Sequence, residues 1–375
     1  VKRVVVNLCW MVPGSVGGSE EYATRLLNAV ARQIPAHIMV ELVAMAGLSE
    51  IHPSLAKSFT NQCAPISGSN RPLRVATENT WMYRKCRDAD LVHHLGGHIP
   101  ARHGSPTAVT IHDTQPLDMP ANFSKPKQIY MRRMIPHAVS SADLICTPSR
   151  WVADRISERF PSAGAKVRVV PSTWADTDHR RLAKVDPSEA LIERLAGCQV
   201  ILYPAITHPH KNHQVLLTAI AKLKASNPSL RVVLTGGVGR AHQLVSECVD
   251  RLALSDMVLR PGRVSESALA ALMGRADVLA FPSRYEGFGL PVLEAMRCGT
   301  PVVAANATSL PEVLAGSGLL VDPDDADAWA EALEAVLGGG REVDQMVSAG
   351  QKRSEYFRPG ESARRLTDAW AEVIQ

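Results

Sequence analysis

The sequence predicts an α/β protein built from two Rossmann-like halves that face each other across a cleft. Three observations carry this. Twelve short apolar runs of four to eight residues, rich in Val, Ile and Leu, are spread along the 375 residues. Their apolar character is continuous rather than alternating, which suits strands buried on both faces of a parallel sheet. Helical periodicity fills the gaps, so strands and helices alternate, and twelve strands are too many for one ordinary doubly wound sheet.

In chain order, the first strand is expected at Arg3–Trp10, where VKRVVVNLCW reads as a strand rather than a signal peptide. A glycine-bearing loop then leads into a helix over Glu20–Arg32. Strands follow at Ile38–Met45, Asp90–Leu95, Thr107–Asp113, Asp143–Ser149 and Val167–Ser172. The polar stretch Asp176–Glu189, DTDHRRLAKVDPSE, marks the break between the halves. The second half places strands at Val200–Ala205, Arg231–Gly236, Met257–Pro261, Asp277–Ser283, Pro301–Asn306 and Gly318–Asp322, with a helix over His213–Lys224. In the final segment Leu366, Trp370 and Val373 have helical spacing and need a partner.

Composition sets the outer limits. Apolar residues make up 46% and charged residues 21%, a soluble globular balance. The longest apolar runs fall short of the ~18 residues of a membrane span, and none is expected. Seven cysteines occur singly with no C-x-x-C, which argues against a zinc site or disulfide framework and fits a reducing cytoplasm. The net charge of +4 divides into +8 over residues 1–187 and −4 over the rest. Either these are two solvated surfaces, or the first half faces an anionic surface or substrate. No nucleic-acid partner is expected.

Ligands of such sheets sit beyond the carboxyl ends of the strands. Gly14, Gly17 and Gly18 lie in the loop after the first strand, where backbone can approach a ligand and a helix N-terminus favours anions. The spacing is not G-x-G-x-x-G and no acidic residue ends the second strand, so a dinucleotide is disfavoured and a plain turn is the simpler account. In YPAITHPHKNHQVLL, Lys211 is placed to pair with a phosphate. His208, His210 and His213 read as a solvated cap, and no carboxylate joins them at zinc-ligand spacing.

The stretch RYEGFGLPVLEAMRCGTPVV is the most unusual. Gly287, Phe288 and Gly289 form a turn, Pro291 sits near the first helical position and Gly299 ends the helix. N–H groups from Gly287 to Leu290 are expected to donate to a polar ligand. Glu286 precedes the turn and Glu294 is expected in the first helical turn. Two carboxylates at an anion-friendly helix suit a ligand with both hydroxyls and phosphates, such as a sugar nucleotide.

Glu286-GFGLPVL-Glu294 resembles the E-x7-E signature of retaining glycosyltransferases, particularly family four of the GT-B fold. The resemblance runs through ADVLAFPSRYEGFGLPVLEAMRCGTPVVAANATSLPEVL to GLLVDPDDADAWAEAL, and includes the Gly17-Gly18-x-Glu20 loop and YPAITHPHKNH. It implies an N-terminal acceptor-binding domain over 1–178, a nucleotide-sugar-binding domain over 179–358, and a final helix, 359–375, that returns to the first domain. Glu286 would lie against the transferred sugar. Gly287, Phe288, Gly289 and Leu290 would line the sugar and phosphate pocket through their backbone. Glu294 would hold the ribose, Lys211 the departing diphosphate, and Gly17 and Gly18 would close on that diphosphate. Arg263 and Val264 would contact the base. His93, His94 or His112 would lie near the acceptor or reacting sugar.

Many relatives place an arginine five residues before the phosphate lysine, where this chain has Ile206. Asp88-Ala89-Asp90 and Asp325-Ala326-Asp327 spell DxD but read as structural, so no metal and no cofactor is expected. The implied enzyme is a metal-independent hexosyltransferase of the cytoplasm using a GDP- or UDP-sugar, with mannosyl transfer from GDP-mannose suggested by the YPA…PHKNH variant. The acceptor class stays open between a glycan, a lipid-linked sugar and a small molecule. A sugar-nucleotide epimerase of the same fold and a non-catalytic nucleotide-sugar-binding subunit are the alternatives. Basic–aromatic clusters at Trp81–Arg87 and Phe123–Arg133 raise a peripheral contact with anionic membrane, against the plainer account of a solvated basic face.

Overall fold

The computed structural model describes residues 1–14, 17–104, 106–174 and 189–374. The chain divides into two compact units, Val1–Ala175 with Phe357–Gln375, and Asp176–Tyr356. The break expected at 178/179 falls outside the described residues.

The first unit holds β1 (Lys2–Asn7), β2 (Ile38–Ala44), β3 (Thr60–Cys63), β4 (Leu91–His94), β5 (Thr107–Thr110), β6 (Leu144–Thr147) and β7 (Val167–Val169). They form one parallel sheet in the order β3-β2-β1-β4-β5-β6-β7. Both faces are covered. Val4 and Val6 join one core cluster and Val5 joins another on the opposite face, as the two-residue period of a strand requires. Strand β3, TNQC, escaped the sequence reading because an edge strand half open to solvent carries no apolar run. Several expected strands overran their ladders. Leu8, Cys9 and Met11 are fully buried yet lie beyond β1, because burial continues where strand pairing stops.

The last helix, Pro359–Val373, belongs to the first unit and packs on the helix Gly18–Gln33. Leu366 and Trp370 are fully buried and Val373 packs at the edge of the same cluster. Each such side chain contributes about 1.5–3 kcal/mol through burial. Gln33 Nε2 donates to the Gly360 carbonyl at 2.5 Å, and Arg168 pairs with Glu372 at 2.6 Å.

The second unit holds β8 (Gln199–Pro204), β9 (Leu230–Thr235), β10 (Val258–Gly262), β11 (Val278–Phe281), β12 (Val302–Ala305) and β13 (Leu319–Val321). They too are parallel, in the order β10-β9-β8-β11-β12-β13. The winding reverses between β8 and β11, as it does between β1 and β4. Loops diverge at such a reversal and leave a crevice at the carboxyl ends of the strands. Among the described residues no helix is long and apolar enough to cross a membrane.

Candidate active site

In the second unit the loops after β8 and β11 meet because their strands are neighbours. The Arg284 N–H donates to the His210 carbonyl at 2.8 Å, and Ser283 Oγ donates to the same oxygen at 3.3 Å. Asn212 adopts φ +55° and anchors the first loop by donating to the Pro323 carbonyl at 2.5 Å. The Tyr203 hydroxyl donates to the Lys211 carbonyl. Thus held, Lys211 Nζ lies 2.5 Å from Glu286 Oε1, with the two side chains only 19% and 13% exposed. The ammonium is also 5.7 Å from the centroid of the Phe281 ring, within cation–π reach.

Glu286 is fixed through its backbone as well. Its N–H donates to Thr308 Oγ1 and its carbonyl accepts from Ser309 Oγ, each at 3.0 Å. Thr308 has φ +53°, a left-handed conformation costly for a β-branched residue. No signal in the sequence marked Thr308 or Ser309. Phe288 and Leu290 are buried, and Gly289 caps the helix Leu290–Cys298 at φ +93°. A Cβ at Gly289 would also meet the end of the Leu310 side chain at 2.6 Å, but it is the positive φ that demands glycine.

Two expectations need correction here. Glu294 lies in the second helical turn, not the first, because the helix begins at Leu290, and it is 7% exposed. The histidines of the β8 loop are not a solvated cap. His213 is buried against the Tyr203 ring at 4.7 Å, and His208 and His210 stack half-buried at 5.8 Å. Burial, then the Lys211 charge, pushes His210 and His213 down to about 3. Both are neutral near pH 7, and Lys211 is the cation beside Glu286. Arg263 and Val264 follow β10, with β9 between that strand and β8. Arg263 is exposed and Val264 half-buried.

In the first unit Gly17 caps the helix Gly18–Gln33 at φ +90°. A Cβ at Gly17 or Gly18 would meet nothing within 4 Å among the described residues. Glu20 Oε1 accepts from the Gly14 N–H at 2.5 Å and faces His52 Nε2 at 2.7 Å, which ties the loop down.

The three candidate histidines differ sharply. His93 is fully buried, and the Trp370 indole, a donor only, gives its N–H to His93 Nδ1 at 3.0 Å. The ring proton therefore sits on Nε2, 2.9 Å from Thr110 Oγ1. Burial, then His112, pushes His93 down to about 3. His93 thus has both ring nitrogens engaged inside the core. His94 is also buried. Asn7 Oδ1 accepts from the Cys9 N–H, so Asn7 Nδ2 donates to His94 Nδ1 at 2.9 Å. His94 Nε2 then carries the proton and has no hydrogen-bond partner among the described residues. His112 is half-buried, with Nε2 donating to the Leu95 carbonyl at 2.7 Å, which leaves Nδ1 unprotonated. Burial pushes it down to about 4. Of the three, His112 alone offers a basic nitrogen near solvent.

A further pair was not visible in the sequence. His98 Nδ1 faces the Gly96 carbonyl at 3.3 Å and Nε2 faces Glu78 Oε2 at 3.2 Å. Burial opposes its charge, but the Glu78 hydrogen bond and charge outweigh that and raise its pKa. In the two DxD spellings, Asp90 accepts the Arg3 N–H and Asp325 caps the helix Ala326–Leu337. Among the described residues no group of three or more His, Cys, Asp or Glu is gathered as for a metal.

Comparison with known proteins now adds to this geometry. Residues 194–353 match the family model described as glycosyl transferases group 1, and residues 16–173 match glycosyltransferase family 4. O-antigen chain mannosyltransferase B of Escherichia coli is 32% identical over 221 residues, 58% of this chain and 58% of that protein. O-antigen chain mannosyltransferase RfbU of Salmonella typhimurium is 27% identical over 228 residues, 61% of this chain and 60% of that protein. The chain thus spans less than two thirds of either relative. The crystal structure of Anabaena HepE in complex with UDP and glucose covers 99% of this chain and 100% of its own, with a TM-score of 0.75 at 20% identity. At that identity the likeness is one of fold.

Proposed function

Because this chain belongs to the group 1, family 4 glycosyltransferases and shares their GT-B fold, we propose that it is a retaining, metal-independent hexosyltransferase whose donor is a nucleotide-diphosphate sugar. The observation that carries the reading is the Lys211–Glu286 pair at the winding reversal of the second sheet. A cation and a carboxylate held side by side suit a ligand that is anionic at one end and rich in hydroxyls at the other. An arriving diphosphate competes for Lys211 and frees Glu286 for the sugar. As the diphosphate departs, an oxocarbenium-like sugar develops, and Lys211 stabilises the leaving charge. Loss of one such preorganised donor costs roughly 10²–10³ in rate. The backbone of Gly287–Leu290 lines the same pocket and Glu294 holds the ribose. In the first unit, His112 is the histidine proposed to act near the acceptor.

GDP-mannose is the first donor to test, since two relatives are named as mannosyltransferases. UDP-glucose is the second, since HepE was crystallised with UDP and glucose. The acceptor is proposed to be a glycan, a lipid-linked sugar or a small molecule. We also propose a cytoplasmic enzyme that touches anionic membrane. Support comes from the helix Lys125–Ser141, which exposes Lys125, Lys127, Arg132 and Arg133 beside Ile129 and Tyr130. The other cluster is less suited, because Trp81 packs against the core.

The test is a panel of nucleotide sugars screened by thermal stabilisation, then product analysis with and without EDTA. One donor raising the melting temperature, and sugar transfer that survives EDTA, are expected. A changed sugar without any acceptor would make the protein an epimerase. No stabilisation by any nucleotide sugar would overturn the reading.

A further inference from the structure

The segment TGGVGRA (Thr235–Ala241), at the end of β9 and in the loop after it, is stitched to the β8 loop chiefly through Thr207. The Thr207 N–H donates to the Gly237 carbonyl at 3.2 Å. In return, Gly239 N–H donates to Thr207 Oγ1 at 2.7 Å and Ala241 N–H to the Thr207 carbonyl at 2.8 Å. The backbones are nearly in contact: a Cβ at Gly239 would lie 2.5 Å from the Thr207 oxygen. Any larger residue there would push the loops apart. Arg240, between two of these anchor points, is therefore held beside the segment that carries Lys211.

The charges at this end of the sheet are otherwise committed. Lys211 is paired with Glu286 at 2.5 Å and Arg284 with Asp324 at 2.5 Å. Arg260 donates to Ser246 Oγ at 2.8 Å and lies 3.0 Å from His242 Nδ1. Arg240 is exposed and, among the described residues, has neither a hydrogen-bond nor an ion-pair partner. Its charge reaches His210 in the β8 loop, where it adds to that of Lys211 in holding the ring neutral. A nucleoside diphosphate brings at least two negative charges, and Lys211 answers one.

We propose that Arg240 is the second cation for the donor diphosphate. This rests on the nucleotide-sugar reading above. Arg263 is less well placed because it follows β10, whereas the β9 loop is bonded directly to the β8 loop. The guanidinium fork suits bidentate contact with phosphate oxygens.

The test is calorimetric titration of GDP and UDP, and of guanosine and uridine, into wild type, Arg240→Gln, Arg240→Lys and Arg231→Gln. Arg231 lies at the opposite end of β9 and controls for net charge. Arg240→Gln is expected to weaken the diphosphate roughly 10- to 100-fold, the range of a charged hydrogen bond. Bare nucleoside binding is expected to be unchanged, Arg240→Lys to recover part of the loss, and Arg231→Gln to match wild type. Diphosphate binding by Arg240→Gln equal to a binding-competent wild type overturns the role of Arg240 and leaves the donor reading standing. An equal loss for the bare nucleosides also overturns it. A wild type that binds neither diphosphate overturns both.

Discussion

Lys211 and Glu286 are 75 residues apart in sequence and 2.5 Å apart in space, and neither side chain is more than a fifth exposed. An ion pair this sheltered loses much of its hydration, so removing one partner strands the other. Glu286→Gln keeps shape and removes charge. Transfer is expected to fall by about 10²-fold or more, with the fold retained but the melting temperature lowered by the stranded Lys211 charge. Near-wild-type turnover would take Glu286 out of the active site.

Glu294 is buried in the second turn of its helix. If it holds the ribose, Glu294→Ala raises the donor KM about 10-fold or more through the lost charged hydrogen bond, with a smaller change in kcat. Titration of the nucleoside diphosphate checks this directly. Unchanged donor affinity would move the ribose contact elsewhere.

Trp370 links the final helix to β4 through His93. Trp370→Ala is expected to cost about 3–5 kcal/mol, as large aromatic truncations in cores do. Trp370→Phe keeps most of the packing and is expected to cost nearer 1 kcal/mol, for the lost hydrogen bond. Deleting residues 360–375 is expected to lower the melting temperature further. A melting curve indifferent to all three changes would mean the helix is not part of the first unit in solution.

The buried histidines predict an acid limit. His93 and His213 are pushed down to about 3 and His112 to about 4. Below the unfolded value near 6.5, the unfolded chain therefore binds more protons than the folded one, and stability falls as pH drops toward those folded values. His98 works the other way: its raised pKa adds stability that is full below ~6.5 and is lost as pH rises through its folded value. The lowered group is the larger, so the melting temperature is expected to fall between pH 7 and about 5. His93→Gln is expected to flatten that slope. A constant melting temperature over this range would show that the rings are hydrated.

The basic helix Lys125–Ser141 predicts salt-sensitive sedimentation with anionic vesicles. Each Lys or Arg near such a surface contributes roughly 1 kcal/mol. Changing Lys125, Lys127, Arg132 and Arg133 to Ser is expected to abolish binding at low salt. A wild type that stays in the supernatant at low salt would leave the basic face as a solvated surface.

What the sequence determined by itself is local. Twelve of the thirteen described strands overlap the expected apolar runs, because strand preference and apolar character act over a few neighbouring residues. The turn from Glu286 to the helix was equally legible, since glycine, proline and helix spacing act within a few residues. What lay further apart in the chain was settled only by strand order. The neighbouring of β8 and β11 brings Lys211 to Glu286, and the Thr207 contacts hold the loop that carries Arg240 against the β8 loop. The hydrogen bond from Trp370 to His93 Nδ1 likewise joins residues 277 apart in the chain. Propensity is felt over one or two turns of chain. Contact between distant residues depends on which strands pair, and that is decided by the packing of the whole sheet.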